Sequence, residues 1–287
     1  MAATAPNNHF KRARDLVMGY GWNSTCFQIL NPGIDHWFSK AGDAVVGFVS
    51  ANRYRVVAGA PVCEHDRLTD VVAEFENDAK NNVEKVTYFL AEARLESALS
   101  DSPDHSFVLL GAQPVWDPAN WPEIVRKNRS LRAQLNRARN KGVSVTEWPI
   151  SKATNSPALQ RCLDAWLESK GLPPLHFMVE PDTLGRLEHH RVFVAELHGD
   201  VIGFVNLSPV PKRNGWLFEQ FPHMPGAPNG TVEFMIHHAM LAMAKSGNDY
   251  ATLGLAPLSK RARIEPFDNP VWLRIFLAWL RKHAQRF

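Results

Sequence analysis

Residues 191–210 read RVFVAELHGDVIGFVNLSPV. Two β-branched, apolar runs flank a Gly-Asp pair, the pattern of a hairpin closed by a tight turn. GWLFEQF at 215–221 supplies a third strand. Helical apolar spacing then runs over 231–246 with Gly247 as its stop signal, and YATLGLA at 250–256 returns to strand. The same order occurs earlier in the chain. DAVVGFVS (43–50) and YRVVAGAPV (54–62) are separated by three residues, as in a hairpin. Over 66–81, Leu68, Val71, Val72, Phe75 and Ala79 recur at helical spacing, and VTYFLAE (86–92) is the following strand. SFVLLGAQPVW (106–116) contains a further strand and ALQRCLDAWLESK (158–170) a helix. The repeated hairpin, helix and strand predict an α/β (α+β) fold of two tandem domains, each a mixed sheet flanked by helices. The expected division is 1–150, including a basic helix at 126–141, and 151–287, carrying the reactive crevice, with WPISKATNSP (148–157) near the boundary. One larger α/β domain is the alternative.

The bulk numbers agree with a folded chain. It has 287 residues, 45% hydrophobic and 21% charged, so a compact core is expected rather than disorder. A net charge of +3 excludes a surface coated for nucleic acid, and any basic site must be local. Cys26, Cys63 and Cys162 are far apart, fit no zinc or redox spacing, and read as reduced residues of a cytoplasmic protein. The first fifteen residues lack the apolar core of a secretion signal. No apolar run approaches the length of about 18 residues that spans a bilayer.

Three stretches are candidates for chemistry. PGAPNGTVEF (225–234) sits at the mouth of the helix over 231–246. Asn229 or Thr231 is expected to cap that helix, and Glu233 suits its positive first turn. Gly226 and Gly230 allow close approach of a ligand, leaving N–H groups for a phosphate or an oxyanion. A well-capped loop with no ligand is the plain alternative. In RKNRSLRAQLNRARNK (126–141), Leu131, Leu135 and Ala138 form one stripe, and seven basic residues with no acid cover the rest. A single-sign face points to a polyanion such as RNA or lipid headgroups. In NPVWLRIFLAWLRKH (269–283), Trp272, Ile275, Phe276, Trp279 and Leu280 oppose Arg274, Arg281 and Lys282. Such a helix either lies on an anionic membrane surface or docks on the core.

Motifs for a P-loop, a dinucleotide fold, a serine nucleophile elbow and a zinc protease are all absent. The adjacent pairs His189-His190 and His237-His238 diverge on helix or strand alike and read as structural or surface residues, so no metal site is expected.

LRAQLNRARNKGVSV (131–145), FEQFPHMPGAPNGTVEFMI (218–236) and YATLGLAPLS (250–259) together resemble the catalytic region of the phosphatidylglycerol lysyltransferases, the multiple peptide resistance factors. The similarity runs roughly from Gly21 to the end. It implies two tandem acetyltransferase-like (GNAT-like) acyltransferase domains and a stand-alone soluble member of the family. It also implies transfer of an aminoacyl group from aminoacyl-tRNA to the hydroxyl of an anionic membrane lipid such as phosphatidylglycerol. The tandem fold also resembles the Fem peptidyltransferases. The sequence departs from the family pattern where an Asp-x-x-Arg element usually precedes the PNG. Glu219 stands at the Asp position, Pro222 at the Arg position, and Gly226 where the loop often has Asp. Relatives also continue past this point, which implies a chain cut short at Phe287.

With an activated ester as donor, no cofactor is expected, and the task is largely one of positioning. Glu219 is the expected general base, or the group that holds the donor's α-ammonium. Asn229, with the backbone around Gly230 and Thr231, is expected to bind a carbonyl or phosphate in a cleft shared with Glu219, and Glu233 to orient that loop or contact the amine. Arg129, Arg132, Arg137 and Arg139 would hold the tRNA acceptor end or lipid phosphates, with Trp272 and Trp279 touching lipid. The expected location is cytoplasmic, peripheral on the inner face of the cell membrane. Two other readings stand beside this one: an acyl-CoA-dependent N-acyltransferase of the same fold, and a non-catalytic lipid- or RNA-binding module.

Overall fold

The computed structural model describes residues 5–170, 177–178, 184–257, 259 and 269–284, with side chains from 8 to 279 within those ranges. The order is α1 (Ala5–Tyr20), β1 (Asp35–Phe38), β2 (Val45–Ala51), β3 (Tyr54–Ala58), α2 (Leu68–Asn81), β4 (Lys85–Phe89) and α3 (Ala93–Leu99). Then come β5 (Gly111–Ala112), β6 (Val115–Trp116), α4 (Trp121–Lys127), α5 (Arg129–Asn140), β7 (Ser144–Trp148), α6 (Ile150–Ala153) and α7 (Pro157–Glu168). The remainder is β8 (Arg191–Leu197), β9 (Asp200–Val210), β10 (Gly215–Gln220), α8 (Thr231–Lys245), β11 (Tyr250–Thr252), β12 (Ala256–Pro257) and α9 (Val271–Ala284).

The expected mixed α/β class is borne out, and so is its internal repeat. One sheet runs β1-β2-β3-β4 and the other β6-β11-β10-β9-β8-β7. In each, antiparallel hairpins lead to one parallel pair joined through a helix: β3–α2–β4 and β10–α8–β11. The hairpins close as their turn residues dictate. Asn52 and Arg53 take φ of 52° and 64°, and His198 and Gly199 take 54° and 90°. Positive φ at both central positions is the turn whose twist matches the strands. The turn after β8 is therefore His-Gly, and Asp200 already belongs to β9.

Burial explains the residue choices. Leu68, Val71, Val72, Phe75 and Ala79 of α2 are all buried, the stripe that the spacing predicts. In β9 every residue from 202 to 210 is buried, because α7 covers one face and α8 the other. A strand covered on both sides carries an apolar run rather than an alternation. Between the sheets lies a further core. It joins Ala13 and Val17 of α1 and Cys26, Phe27, Ile29 and Leu30 of a short 3-10 turn to residues from both sheets: Val45 and Ala58 from the first, Val210, Leu217 and Tyr250 from the second.

Elements from before residue 150 contribute to the second sheet and its core. The basic helix α5 does not pack with the first sheet. Its stripe of Leu131, Leu135 and Ala138 packs into the core of Phe218, Phe234, Met235 and Ala239 against α8. Strands β6 and β7, both before residue 150, form the two edges of the second sheet. The 106–116 stretch holds two short strands where one was expected within it. Pro114, which has no N–H to donate, falls between β5, paired with β12, and β6, paired with β11. Leu258 of the LGLAPLS motif and the side chains of Leu280, Arg281 and Lys282 lie outside the described residues.

Candidate active site

Glu219 lies near the end of β10, where the pairing to β9 slips. Phe218 faces Leu207 and Gln220 faces Asn206, which leaves Glu219 as a bulge residue with no cross-strand partner. A bulge re-aims a side chain and often sits beside an active site. The Glu219 side chain, 12% exposed, meets a polar island set into the core between the sheets. Its Oε1 accepts a hydrogen bond from Gln28 Nε2 at 2.6 Å and its Oε2 one from Asn206 Nδ2 at 2.5 Å. Gln28 Nε2 also donates to Ser208 Oγ at 3.0 Å. Gln28, Asn206 and Ser208 are all buried. Buried polar side chains of this kind persist only when bonded to one another.

His190 completes the island. Its Nε2 is 3.7 Å from Glu219 Oε1, and its ring meets Phe27 edge-on at 4.9 Å. Burial alone would push the imidazole pKa down, but the nearby Glu219 carboxylate outweighs it and holds the pKa above the ordinary value. The histidine therefore keeps its proton to higher pH than a free one. Glu219 and His190 together line a cavity of about 520 Å³ between α1, the 27–32 turn, α6 and the 184–190 loop. Phe10, Phe27, Leu30, Ile150 and Leu187 make much of its wall apolar, and Arg14, Arg186 and Glu188 bring charge to it.

The α8 entrance stands apart. Asn229, Gly230, Thr231 and Glu233 line a second cavity of about 260 Å³ together with Gln134 and His223. It shares no wall residue with the cavity of Glu219, where the sequence suggests a single cleft. The capping differs as well. Gly230 itself is the N-cap, with φ of 94°, and no side chain caps the helix. The Thr231 hydroxyl instead donates to the Pro228 carbonyl at 2.7 Å. A Cβ on Gly230 would collide with the Gln134 carbonyl of α5. The close approach of α5 by itself requires a glycine at this position. Gly226 has open space around it.

Arg129, Arg132, Arg137 and Arg139 are all exposed on α5. Arg137 donates to Gln134 on its own helix, and two of the four contact neighbouring helices. Arg132 donates to the carbonyls of Val125 and Arg126, closing the C-terminal end of α4, and Arg139 lies 5.8 Å from the Phe234 ring centre. On α9, Trp272 and Trp279 are 69% and 55% exposed, and Ile275 and Phe276 are exposed with them. Leu273 and Leu277 of the same helix are half-buried, so its exposed apolar face is the one that carries Trp272, Ile275, Phe276 and Trp279. Cys26, Cys63 and Cys162 are buried free thiols. Among the described residues there is no group of three or more metal-ligating side chains, and no helix is long and apolar enough to cross a membrane.

Sequence reasoning did not find His190, Gln28, Asn206 or Ser208. One signal was available for two of them: Asn206 and Ser208 interrupt the otherwise apolar VIGFVNLSPV run. His190 and Gln28 reach the site from a loop and a 3-10 turn remote in sequence, and nothing local marks them.

Two mixed sheets joined through a shared core, with a polar island at that junction, define an α/β fold built on an internal repeat. The chain as a whole has solved counterparts. The C-terminal domain assigned to a lysylphosphatidylglycerol synthetase of Agrobacterium fabrum is similar, with a TM-score of 0.76 and 22% identity over 88% of this chain and 79% of that one. L-PGS from Bacillus licheniformis gives a TM-score of 0.78 at 19% identity, covering 93% and 81%. FemX shares the fold more distantly, with a TM-score of 0.56 at 9% identity over 93% and 91%. In sequence, the phosphatidylglycerol lysyltransferase of Bacillus subtilis (strain 168) is 25% identical over 226 residues, 78% of this chain and 26% of that protein. The chain thus spans about a quarter of the length of that curated relative. The family model described as "Phosphatidylglycerol lysyltransferase, C-terminal" matches residues 14–287. The chain belongs to this family.

Proposed function

We propose that this chain is an aminoacyltransferase that moves an aminoacyl group from aminoacyl-tRNA to the hydroxyl of an anionic membrane lipid such as phosphatidylglycerol. The observation that carries the reading is the Glu219–His190 pair, held by Gln28 and Asn206 at the wall of a largely apolar cavity of about 520 Å³. Family membership and the naming of the Bacillus subtilis relative support it.

In the proposed reaction the lipid hydroxyl enters beside Glu219, and the carboxylate takes its proton as the oxygen attacks the ester carbonyl of the donor. The new ester bond forms, and the bond from the carbonyl carbon to the tRNA ribose oxygen breaks. His190, which its partner keeps protonated, returns a proton to that leaving oxygen, and proton exchange between the two side chains resets the pair. Both groups are fixed before substrate arrives, so orientation supplies much of the rate. We assign Asn229, Gly230, Thr231 and Glu233, in their own cavity, to holding a phosphate of the donor RNA away from the reacting ester rather than to proton transfer. Arg129 and Arg137 would follow the RNA backbone or lipid phosphates, and Trp272 and Trp279 would rest on the membrane surface.

The test is mass spectrometry of lipid extracts from cells that express the chain, alongside Glu219→Gln. The expected result is aminoacylated lipid with the native chain and a fall of about 10²–10⁴-fold with the variant. Native-level product from Glu219→Gln would remove that residue from the chemistry, and absence of any aminoacylated lipid would refute the function.

A further inference from the structure

A separate cavity of about 350 Å³ lies beyond the carboxyl end of β4, the parallel partner of β3, and shares no wall residue with the cavity of Glu219. Ligands of open mixed sheets commonly bind in such a crevice. Its walls are Leu90, Phe107, Val108, Leu109 and Leu255, and its charges are Glu92, Glu96 and Arg213.

The three charges are not equivalent. Glu92 is committed: its Oε1 accepts from the Ser24 N–H at 2.6 Å, and its Oε2 pairs with Arg213 Nη1 at 3.0 Å. Arg213 is held in turn by the Tyr250 hydroxyl at 2.6 Å and by the Trp22 ring at 3.8 Å. Gln113 ties Ser24 Oγ to the same Tyr250 hydroxyl, which fixes the cavity floor. Glu96 lies one helical turn beyond Glu92, on the same face of α3. It is half-buried, and among the described residues its carboxylate has neither a hydrogen-bond nor an ion-pair partner. Glu92 and Arg213 neutralise each other, so the cavity keeps a single uncompensated negative charge beside an apolar wall.

We infer that this cavity binds a primary ammonium group carried on a short apolar stem, with Glu96 accepting its N–H bonds and Leu90, Phe107, Val108 and Leu255 enclosing the stem. One residual charge matches a monovalent cation. A divalent metal would need more anionic ligands than one free carboxylate, and the Arg213 guanidinium repels it. The inference is independent of the transferase reading. An ammonium of this kind occurs on an aminoacyl ester and on an aminated phosphate headgroup.

The test is calorimetric titration of the full chain with n-pentylamine and, as the uncharged control, pentan-1-ol. L-norleucine methyl ester and phosphoethanolamine represent the two sources, and the tighter of them identifies the natural one. Pentylamine is expected to bind at least tenfold more tightly than pentanol, and Glu96→Gln to abolish that preference. Val108→Trp, at a position 50% exposed on the rim, should block binding with the fold intact by circular dichroism. Equal affinity for amine and alcohol, no binding of the amine, or an unchanged preference in Glu96→Gln would each overturn the inference. The titration involves no turnover, so its failure would leave the transfer reactions of the native chain and of Glu219→Gln to be judged separately.

Discussion

Replacing Glu219 with glutamine probes the polar island without touching its shape. The carboxylate now accepts from two amide donors, Gln28 Nε2 and Asn206 Nδ2. An amide in its place keeps one acceptor and presents a donor in place of the other, so one of those amides meets a donor head-on. A buried donor left unmatched costs about 1–3 kcal/mol. The variant also removes the anion beside His190, and this part depends on pH. In the native chain the folded pKa of His190 is raised. Its contribution to stability is therefore complete below the unfolded value of about 6.5 and is lost as pH rises through the higher folded value. Without the carboxylate, only the backbone contacts with Glu188 and Leu187 oppose burial and the folded pKa falls, so the slope moves toward the opposite sign. His36 and His237 are pushed down by burial and slope in that opposite direction too, but they are common to both proteins and cancel in the difference. The stability gap between native and Glu219→Gln should thus be widest at low pH and narrow as pH rises, with a slope of at most about 1.4 kcal/mol per pH unit for one proton in each protein. Urea unfolding of both proteins between about pH 5.5 and pH 8.5, bracketing the ordinary histidine value, measures it. A gap that stays constant, or widens with pH, would refute the coupling of His190 to Glu219.

Gly230→Ala should destabilise the chain by roughly 2–5 kcal/mol, combining left-handed strain with overpacking against α5, and calorimetric melting reads this directly. Charge reversal at Arg129 and Arg137, the two arginines free of structural duties toward α4 or α8, should flatten the salt dependence of RNA binding by about one log unit for each phosphate they cease to neutralise. Filter binding across a salt series checks it, and an unaltered slope would exclude this helix face as the RNA-binding surface. Trp272→Ala combined with Trp279→Ala should weaken partition onto anionic vesicles roughly tenfold per half-inserted ring, about 1.5 kcal/mol each. Melting should be unchanged because both rings are exposed. Sedimentation with vesicles reads the partition, and equal pelleting of native and variant would rule out α9 as the membrane-binding element.

The parts of the fold legible in the sequence were those with a local period. The α2 stripe and the paired runs of β2–β3 and β8–β9 each declare a buried face within a dozen residues, and all three elements formed where expected. Partnership between distant segments was not legible. The stripe of α5 announces that something covers it, but the pattern is the same whichever sheet supplies the cover, and α8 supplied it. Glu219 was legible as a lone carboxylate ending an aromatic strand. Its partner Gln28 lies 191 residues away in a 3-10 turn with no polar periodicity, and His190 hides in a pair of histidines whose neighbour points elsewhere. Gly230 shows the converse failure. A glycine at a helix mouth fits ligand approach and helix approach equally well, and only the Gln134 carbonyl, standing where its Cβ would go, reveals that the approach of α5 demands one here.

The two margins of the larger sheet are both formed by residues that precede 150: β6 shields β11, and β7 shields β8. A polypeptide started at residue 151 would present both margins as bare ladders of backbone donors and acceptors, ready to recruit strands from other copies. It would also leave Phe234, Met235 and Ala239 without the cover of α5, and Glu219 without Gln28. Such a fragment is expected to self-associate before any ligand reaches it, so the half that bears the carboxylate has no independent existence apart from the half that frames it.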